Sequence, residues 1–382
     1  MRLKLVLWSV LGIVVLGLAG FAGWILTLPP SPAAAAAPEI AEDEINATLA
    51  ALKPQKRERP VIAIIGINDA TEVTDYLTPY GILRRADVAD VMTLATNPGP
   101  VTLYPALRVE PDATIAEFDA RYPDGADYVI VPAMSRDDDP AVMQWLKAQA
   151  DKGAMVIGIC LGAKVVAAAG LLDGKQATTH WYSVNELQEN HPEVRYVADR
   201  RIVVDQRVAT TTGITASIPM MLTLIEAIAG RAKAEAVAQD VGFSEWNARH
   251  DSDAFKFTRP FALTTLRNVM AFWNREQLGI ELQPGMDEVS LALVADAWSR
   301  TYRSNAVTFA GSADPIETRN GLRVLPDKVT DSWPDERELP QIGDRQPAKA
   351  LDETLSAISK RYGSRTGDLV AMQLEYPRQK TP

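Results

Sequence analysis

Met155-Val156-Ile157-Gly158-Ile159-Cys160-Leu161-Gly162-Ala163-Lys164-Val165-Val166-Ala167-Ala168-Ala169 is the stretch that decides the fold of this chain. Its first five residues are a short apolar run of the buried-strand type, and Gly162 to Ala169 reads as a helix. A strand therefore runs into Cys160 and a helix leaves it, with a glycine two residues away on either side. This is a nucleophile elbow written with Cys in place of Ser. The helix N-terminus offers unpaired N–H groups and positive potential, which favour a thiolate, and the Leu161 N–H is placed to hold an oxyanion. A buried core cysteine is the other reading of the same pattern. Cys160 is the only cysteine in the chain. An internal disulfide and a cysteine zinc cage are thereby excluded. No motif calls for a metal or an organic cofactor.

Working outward, the β/α alternation continues on the N-terminal side. Val61 to Ile65 reads as a buried strand, Glu72 to Arg85 as a helix, Val91 to Ala95 as a strand and Val101 to Val109 as a hairpin or two short strands. Tyr128 to Val131 reads as a central strand and Asp139 to Lys152 as a helix. Such alternation predicts an α/β fold, a parallel sheet with helices on both faces and sites where strands end and helices begin.

The run Gly158 to Gly162 followed by Ala169-Gly-Leu-Leu-Asp-Gly174 and Thr178-Thr-His180-Trp181 resembles the ThiJ/PfpI (DJ-one/PfpI) family of the class I glutamine-amidotransferase-like superfamily. It is most similar to the branch of isocyanide hydratases and the amidotransferase-like domains of AraC-type regulators. Thr210-Thr-Thr-Gly213-Ile-Thr-Ala-Ser217, with the helix Ile218 to Ala229, resembles the family's closing strand and helix. The resemblance spans about 60–230 and implies a flavodoxin-like sandwich with Cys160 as a site residue. It also implies roles for three side chains. Asp75 matches the family's acid, with Glu72 one turn before it as a secondary candidate. His180 matches a histidine that either activates the cysteine or is tied to backbone. Ala133 and Leu161 would supply backbone N–H groups, with Gly213 a further candidate. Leu161 departs from the histidine of the protease-like branch and from the small hydroxyl residue of isocyanide hydratases, which bears against both chemistries. Pro132-Ala133-Met134-Ser135 stands where many relatives have Pro-Gly-Gly. His191 and His250 read as surface residues.

Beyond this domain the order of the opening half returns. Glu72-Val73-Thr74-Asp75 compares with Glu288-Val289-Ser290-Leu291 at an offset of 216. Val91 to Ala95 compares with Ala306 to Ala310, and Leu107 to Asp112 with Leu322 to Asp327, at an offset of 215. Leu278 to Asp327 thus reads as a degenerate half-copy without a second elbow, Leu291 standing where Asp75 stands. Helices are expected over Phe257–Glu276 and Ala350–Tyr362, and a last strand over Leu369–Leu374. This region is expected to cover the site or to mediate a homodimer.

Leu5 to Leu28 carries no charge and follows Arg2 and Lys4. At roughly 30 Å of hydrocarbon such a run predicts a transmembrane helix with a cytoplasmic N-terminus and exported domains. A cleaved signal peptide ending in the Ala33–Ala37 run is the alternative. The expected organisation is an anchor (1–28), a Pro/Ala-rich linker (29–58), the ThiJ/PfpI-like domain (59–230) and the half-repeat region (231–382). The net charge of −10 in 382 residues argues against a nucleic-acid partner, and no helix-turn-helix pair follows. Two functions stand: a cysteine-dependent enzyme of a small carbonyl, amide or isocyanide-like substrate, or a ligand-binding or redox-sensing module using the same pocket.

Overall fold

The computed structural model describes residues 2–32 and 36–377. The chain opens with helices α1 (Arg2–Thr27) and α2 (Glu42–Ala51). The first βα half follows: β1 (Val61–Gly66), β2 (Asp69–Glu72), α3 (Val73–Ala86), β3 (Asp90–Ala95), β4 (Val101–Tyr104), β5 (Arg108–Glu110), β6 (Ala113–Thr114) and α4 (Ile115–Arg121). Next come β7 (Tyr128–Val131), α5 (Pro140–Asp151), β8 (Met155–Gly158), α6 (Gly162–Ala168), β9 (Gln176–Ala177), α7 (Val184–Asn190) and β10 (Arg195–Tyr196). β11 (Ile202–Asp205), β12 (Val208–Thr211) and α8 (Ser217–Ala229) close the domain, and α9 (Arg231–Val241) and α10 (Arg259–Met270) lead out of it. The last region is β13 (Glu276–Glu281), α11 (Glu288–Ser299), β14 (Ser304–Ala310), β15 (Ile316–Glu317), β16 (Arg323–Leu325), β17 (Lys328–Val329), α12 (Pro347–Tyr362) and α13 (Ser364–Gln373).

Seven strands form the main sheet in the order β11-β12-β8-β7-β1-β3-β6. Its ladders are parallel except the outer β11–β12 pair. All six residues of β1 are buried, because helices cover both faces. Strand alternation divides them: Ile62 and Ile64 enter the core shared with α3 and α8, while Val61, Ala63 and Ile65 enter the core shared with α5 and α6. The flavodoxin-like sandwich that the resemblance implies is present, and it places the C-terminal ends of β1, β7 and β8 at one edge.

The N-terminal expectation is corrected. Helix α1 occupies the uncharged run, yet among the described residues no helix is long and apolar enough to cross a membrane. The transmembrane helix, the single-pass topology and the exported placement lose their basis with it. The last turn of α1 is engaged by the folded body instead. Helix ends leave carbonyls without intrahelical partners. Here Arg259 donates to the carbonyls of Ile25, Leu26 and Leu28 at 3.2, 2.7 and 3.1 Å, and Trp24 packs on Phe257. The Ala33–Ala37 run lies partly outside the described residues. The segment read as linker holds α2, and the carbonyl of Leu52, just after it, accepts from the Tyr128 hydroxyl at 2.7 Å.

Two further elements differ from expectation. The helix expected over 257–276 ends at Met270, and the chain then enters β13, which pairs in parallel with β14. Leu369 to Leu374 is not a strand. A short apolar run is ambiguous between buried strand and buried helix. Here Gly363, at φ +95°, opens α13, which packs against α12 and α10.

The half-copy is visible as geometry. β13, β14 and β17 pair in parallel in the same order as β1, β3 and β6. Asp112 accepts from the N–H and hydroxyl of Thr93 at 2.7 and 2.9 Å, and Asp327 accepts from those of Thr308 at 2.9 and 2.9 Å. The helix caps correct the alignment. Glu72 caps α3 through the Asp75 N–H, and Asp287 caps α11 through the Ser290 N–H. The helices therefore correspond at an offset of 215 rather than 216, and Ser290, not Leu291, stands where Asp75 stands.

The elbow glycines explain why the turn closes. A Cβ on Gly162 would lie 1.9 Å from the Val131 carbonyl oxygen, and one on Gly158 would lie 2.9 Å from the Ala163 nitrogen. Gly162→Ala should cost about 3 kcal/mol, the upper end of ordinary overpacking, because backbone is what must move. Urea unfolding of the variant should show a lowered midpoint, and an unchanged midpoint would contradict the tight turn.

Candidate functional site

Cys160 sits between β8 and α6 with φ +56°. A left-handed conformation is unfavourable for a residue with a Cβ and persists only where surroundings hold it. Those surroundings are specific. The Cys160 N–H donates to the Thr211 hydroxyl at 3.2 Å, and its carbonyl accepts from the Thr179 hydroxyl at 3.0 Å. The Thr210–Thr212 strand end and the Thr178–His180 segment therefore clamp the elbow from two sides. A cavity of about 440 Å³ opens beside it, lined by Cys160, Leu161, Ala133, Glu72, His180, Tyr104 and, from the last region, Arg300, Tyr302 and Gln373.

Beneath the cavity lies a buried acidic cluster. Glu72 caps α3, one carboxylate oxygen accepting from the Asp75 N–H at 2.7 Å and the Thr74 hydroxyl at 2.8 Å. Its other oxygen accepts from Arg300 at 2.7 Å, and Arg300 also donates to Asp296 at 2.7 Å. Burial pushes the Asp296 carboxyl up to about 7 against the pull of Arg300. Asp75 is fully buried, and burial followed by the Glu72 charge pushes it well above the usual carboxylate range. Its Oδ2 accepts from the Ala133 N–H at 3.0 Å, while Oδ1 has no partner. Asp75 is thus a buried acid pushed toward its protonated form, with one carboxyl oxygen left without a partner.

Cys160 does not match the thiolate expected from the helix N-terminus. Burial first, then the charges of Asp75, Glu72 and Glu375, push the thiol well up, and the Leu161 N–H pulls it down by less. His180 is not its base. One ring nitrogen, Nε2, meets the Gln373 carbonyl at 2.9 Å and the other accepts from the Tyr182 N–H at 3.1 Å, which fixes the neutral Nε2–H form. Burial lowers its pKa further. The Ala133 N–H, expected to face a substrate, is taken by Asp75. Gly213 donates to Glu375 at 2.8 Å, and a Cβ there would lie 2.6 Å from that carboxylate, so its place is in the framework. His250 is buried, stacked on Phe255 and 3.6 Å from Glu375, which corrects its reading as a surface residue. Among the described residues no group of three or more His, Cys, Asp or Glu is arranged to hold a metal ion.

Sequence reasoning missed Arg300, Tyr302, Gln373 and Glu375. Arg300 was recoverable, because it lies 215 residues after Arg85 in the half-copy. Glu375 carried no motif, yet it ties the Trp181 N–H at 2.7 Å to the Gly213 N–H.

An elbow cysteine over a buried acid in a flavodoxin-like sandwich defines a class, and the comparisons agree with it. The model of the DJ-1/PfpI family matches residues 61–227, and the chain belongs to that family. The isonitrile hydratase of Pseudomonas putida is 32% identical over 160 residues, covering 41% of this chain and 67% of that protein. The HTH-type transcriptional regulator CdhR of Pseudomonas aeruginosa is 27% identical over 238 residues, covering 61% of this chain and 66% of that protein. The chain thus spans about two thirds of the length of these two relatives. The crystal structure of Drosophila melanogaster DJ-1beta aligns over 49% of this chain and 100% of that one, at 23% identity and a TM-score of 0.44.

A buried acid with a raised pKa keeps in the native state a proton that the unfolded chain releases. Its stability contribution is therefore lost as pH rises from the ordinary value of 3.8 toward the folded value. Asp75→Asn removes that loss and leaves an acceptor for the Ala133 N–H. Thermal unfolding from pH 4 to 8 should show the variant gaining on the wild type as pH rises; a difference constant with pH would contradict the neutral acid.

Proposed function

We propose that this protein is a cysteine-dependent enzyme acting on a small carbonyl, amide or isocyanide-like substrate. The observation that carries the reading is the strained elbow cysteine over a buried acid with one carboxyl oxygen unpartnered. In this reading the Cys160 sulfur bonds to the electrophilic carbon as the carbon–heteroatom π bond opens, the Asp75 proton goes to the atom on which negative charge develops, and the thiol proton passes to the Asp75 carboxylate so formed. The Leu161 N–H, at the start of α6, stabilises the same charge. Arg300 and Glu72 hold the acid in place, and Tyr104, Tyr302 and Met134 give the cavity an apolar wall suited to a small ligand. The likeness to an isonitrile hydratase supports the isocyanide-like end of this range, and Leu161, without a hydroxyl, supports the carbonyl or amide end.

The raised thiol favours a second reading, a ligand-binding module without turnover. Redox sensing, the other form of that reading, needs a thiolate and gains less from this site. The HTH-type relatives suggest a DNA-binding role, but the net charge of −10 favours the pocket over a nucleic-acid surface.

Two measurements separate the readings. Alkylation of Cys160 should stay slower than that of a free thiol, whose pKa is about 8.5, across pH 6 to 9; a fast pH-independent rate would contradict the buried thiol. A turnover screen of aldehydes, amides and an isocyanide should find activity that falls at least about 100-fold in Cys160→Ala. Turnover equal in both proteins, or none with any of the three classes, would overturn the enzyme reading.

A further inference from the structure

The half-copy does not merely resemble the opening half of the domain; it packs against it reciprocally. Strand β5 pairs antiparallel with β16, with Val109 opposite Val324, Arg108 opposite Leu325 and Glu110 opposite Arg323. Val109 and Val324 lie 215 residues apart, so each sits opposite its own equivalent. Helix α3 packs on α11, and the ion pairs repeat the relation. Glu72, the cap of α3, pairs with Arg300 at 2.7 Å, and Asp287, the cap of α11, pairs with Arg85. Glu72 and Asp287 are equivalents, as are Arg85 and Arg300. One contact is thus made twice, with the partners exchanged, which is the mark of a two-fold interface between two copies. Here both copies belong to one chain.

We propose that residues 276–329 take the place of a second subunit's opening half, so that the chain closes a two-fold subunit interface within itself, and that Arg300, delivered by that internal partner, is a positioning residue of the Cys160 site. The two sides of the pseudo-symmetric contact differ in what they serve. Arg300 lines the Cys160 cavity and neutralises Glu72 beneath it. Arg85 pairs with Asp287 and Asp240, away from any cysteine. The homodimer expected through this face is therefore replaced by an intramolecular contact, and one of two potential sites is gone.

The groups that bear on Cys160 are Asp75 and Glu72 at the start of α3, Glu375 after α13, and the Leu161 N–H. Arg300 acts on the first two, with Asp296 beside it. Removing Arg300 leaves Glu72 unneutralised and raises the thiol further.

Arg85→Met supplies a matched control, since it breaks the equivalent contact. In the full chain, Arg300→Met should slow Cys160 alkylation by about tenfold at a given pH, the effect of one unit of thiol pKa. Arg300→Lys should recover most of the rate, and Arg85→Met should leave it unchanged while lowering the melting temperature similarly. Equal effects of the two Met variants on alkylation, or none from Arg300→Met, would overturn the positioning role. Should Arg300→Met fail to fold, Arg300→Gln is read in its place by the same criteria.

The internal interface has a separate test. Glu110 and Arg323 form an exposed ion pair at 2.9 Å. Arg323→Lys keeps the charge and permits zero-length carbodiimide coupling. In an equal mixture of light and heavy isotope-labelled full chain, expressed separately, unfolded and refolded together, coupled peptides should carry a single label. Mixed-label peptides, or no coupling between positions 110 and 323, would overturn the intramolecular interface. Neither readout depends on turnover.

Discussion

The Glu72–Arg300 ion pair is the interaction on which the site depends. Glu72 is 6% exposed, and a carboxylate at that depth needs an opposite charge and hydrogen bonds to remain ionised. Arg300 supplies the charge from the C-terminal region, and the Thr74 hydroxyl and Asp75 N–H supply the hydrogen bonds. Burial first, and then the Glu72 carboxylate one turn away, push Asp75 well above the usual carboxylate range. Because Glu72 also caps α3, the same group orients the helix that carries Asp75 toward the Ala133 N–H. A distant region of the chain thereby supplies the counter-charge beneath the elbow.

The elbow itself follows from local constraints. β8 delivers Cys160 to the sheet's C-terminal edge, and the close approach of Gly162 to the Val131 carbonyl forces the turn. The Thr179 and Thr211 hydroxyls then hold the strained residue from either side. Burial raises the thiol instead of lowering it, against the smaller pull of the Leu161 N–H at the start of α6.

Much of this was legible in the sequence, and the failures have physical causes. The parallel strands read correctly because residues buried on both faces form continuous apolar runs, as in Val61–Ile65 and Met155–Ile157. The turn at Cys160 was legible because a strand-to-helix glycine pattern is a local feature, whereas Asp75 was singled out only through the family resemblance. Arg300 and Glu375 act across 228 and 162 residues of chain, on Glu72 and Gly213 respectively, and nothing local announces such partners. His180 was recognised but its chemistry was not, since the Gln373 carbonyl that occupies Nε2 comes from a helix expected to be a strand. The uncharged N-terminal run suggested a membrane anchor by composition alone, a signal blind to the contacts that Arg259 makes with the end of that helix.

Burial beside Glu72 pushes Asp75 toward the protonated form, and the site depends on that proton. Isotope-edited infrared difference spectroscopy of wild type against Asp75→Asn at pH 7 reads this directly. The account predicts a carbonyl stretch of a protonated, weakly hydrogen-bonded carboxylic acid that is lost in the variant. A difference spectrum showing only the paired bands of an ionised carboxylate at Asp75 would contradict it.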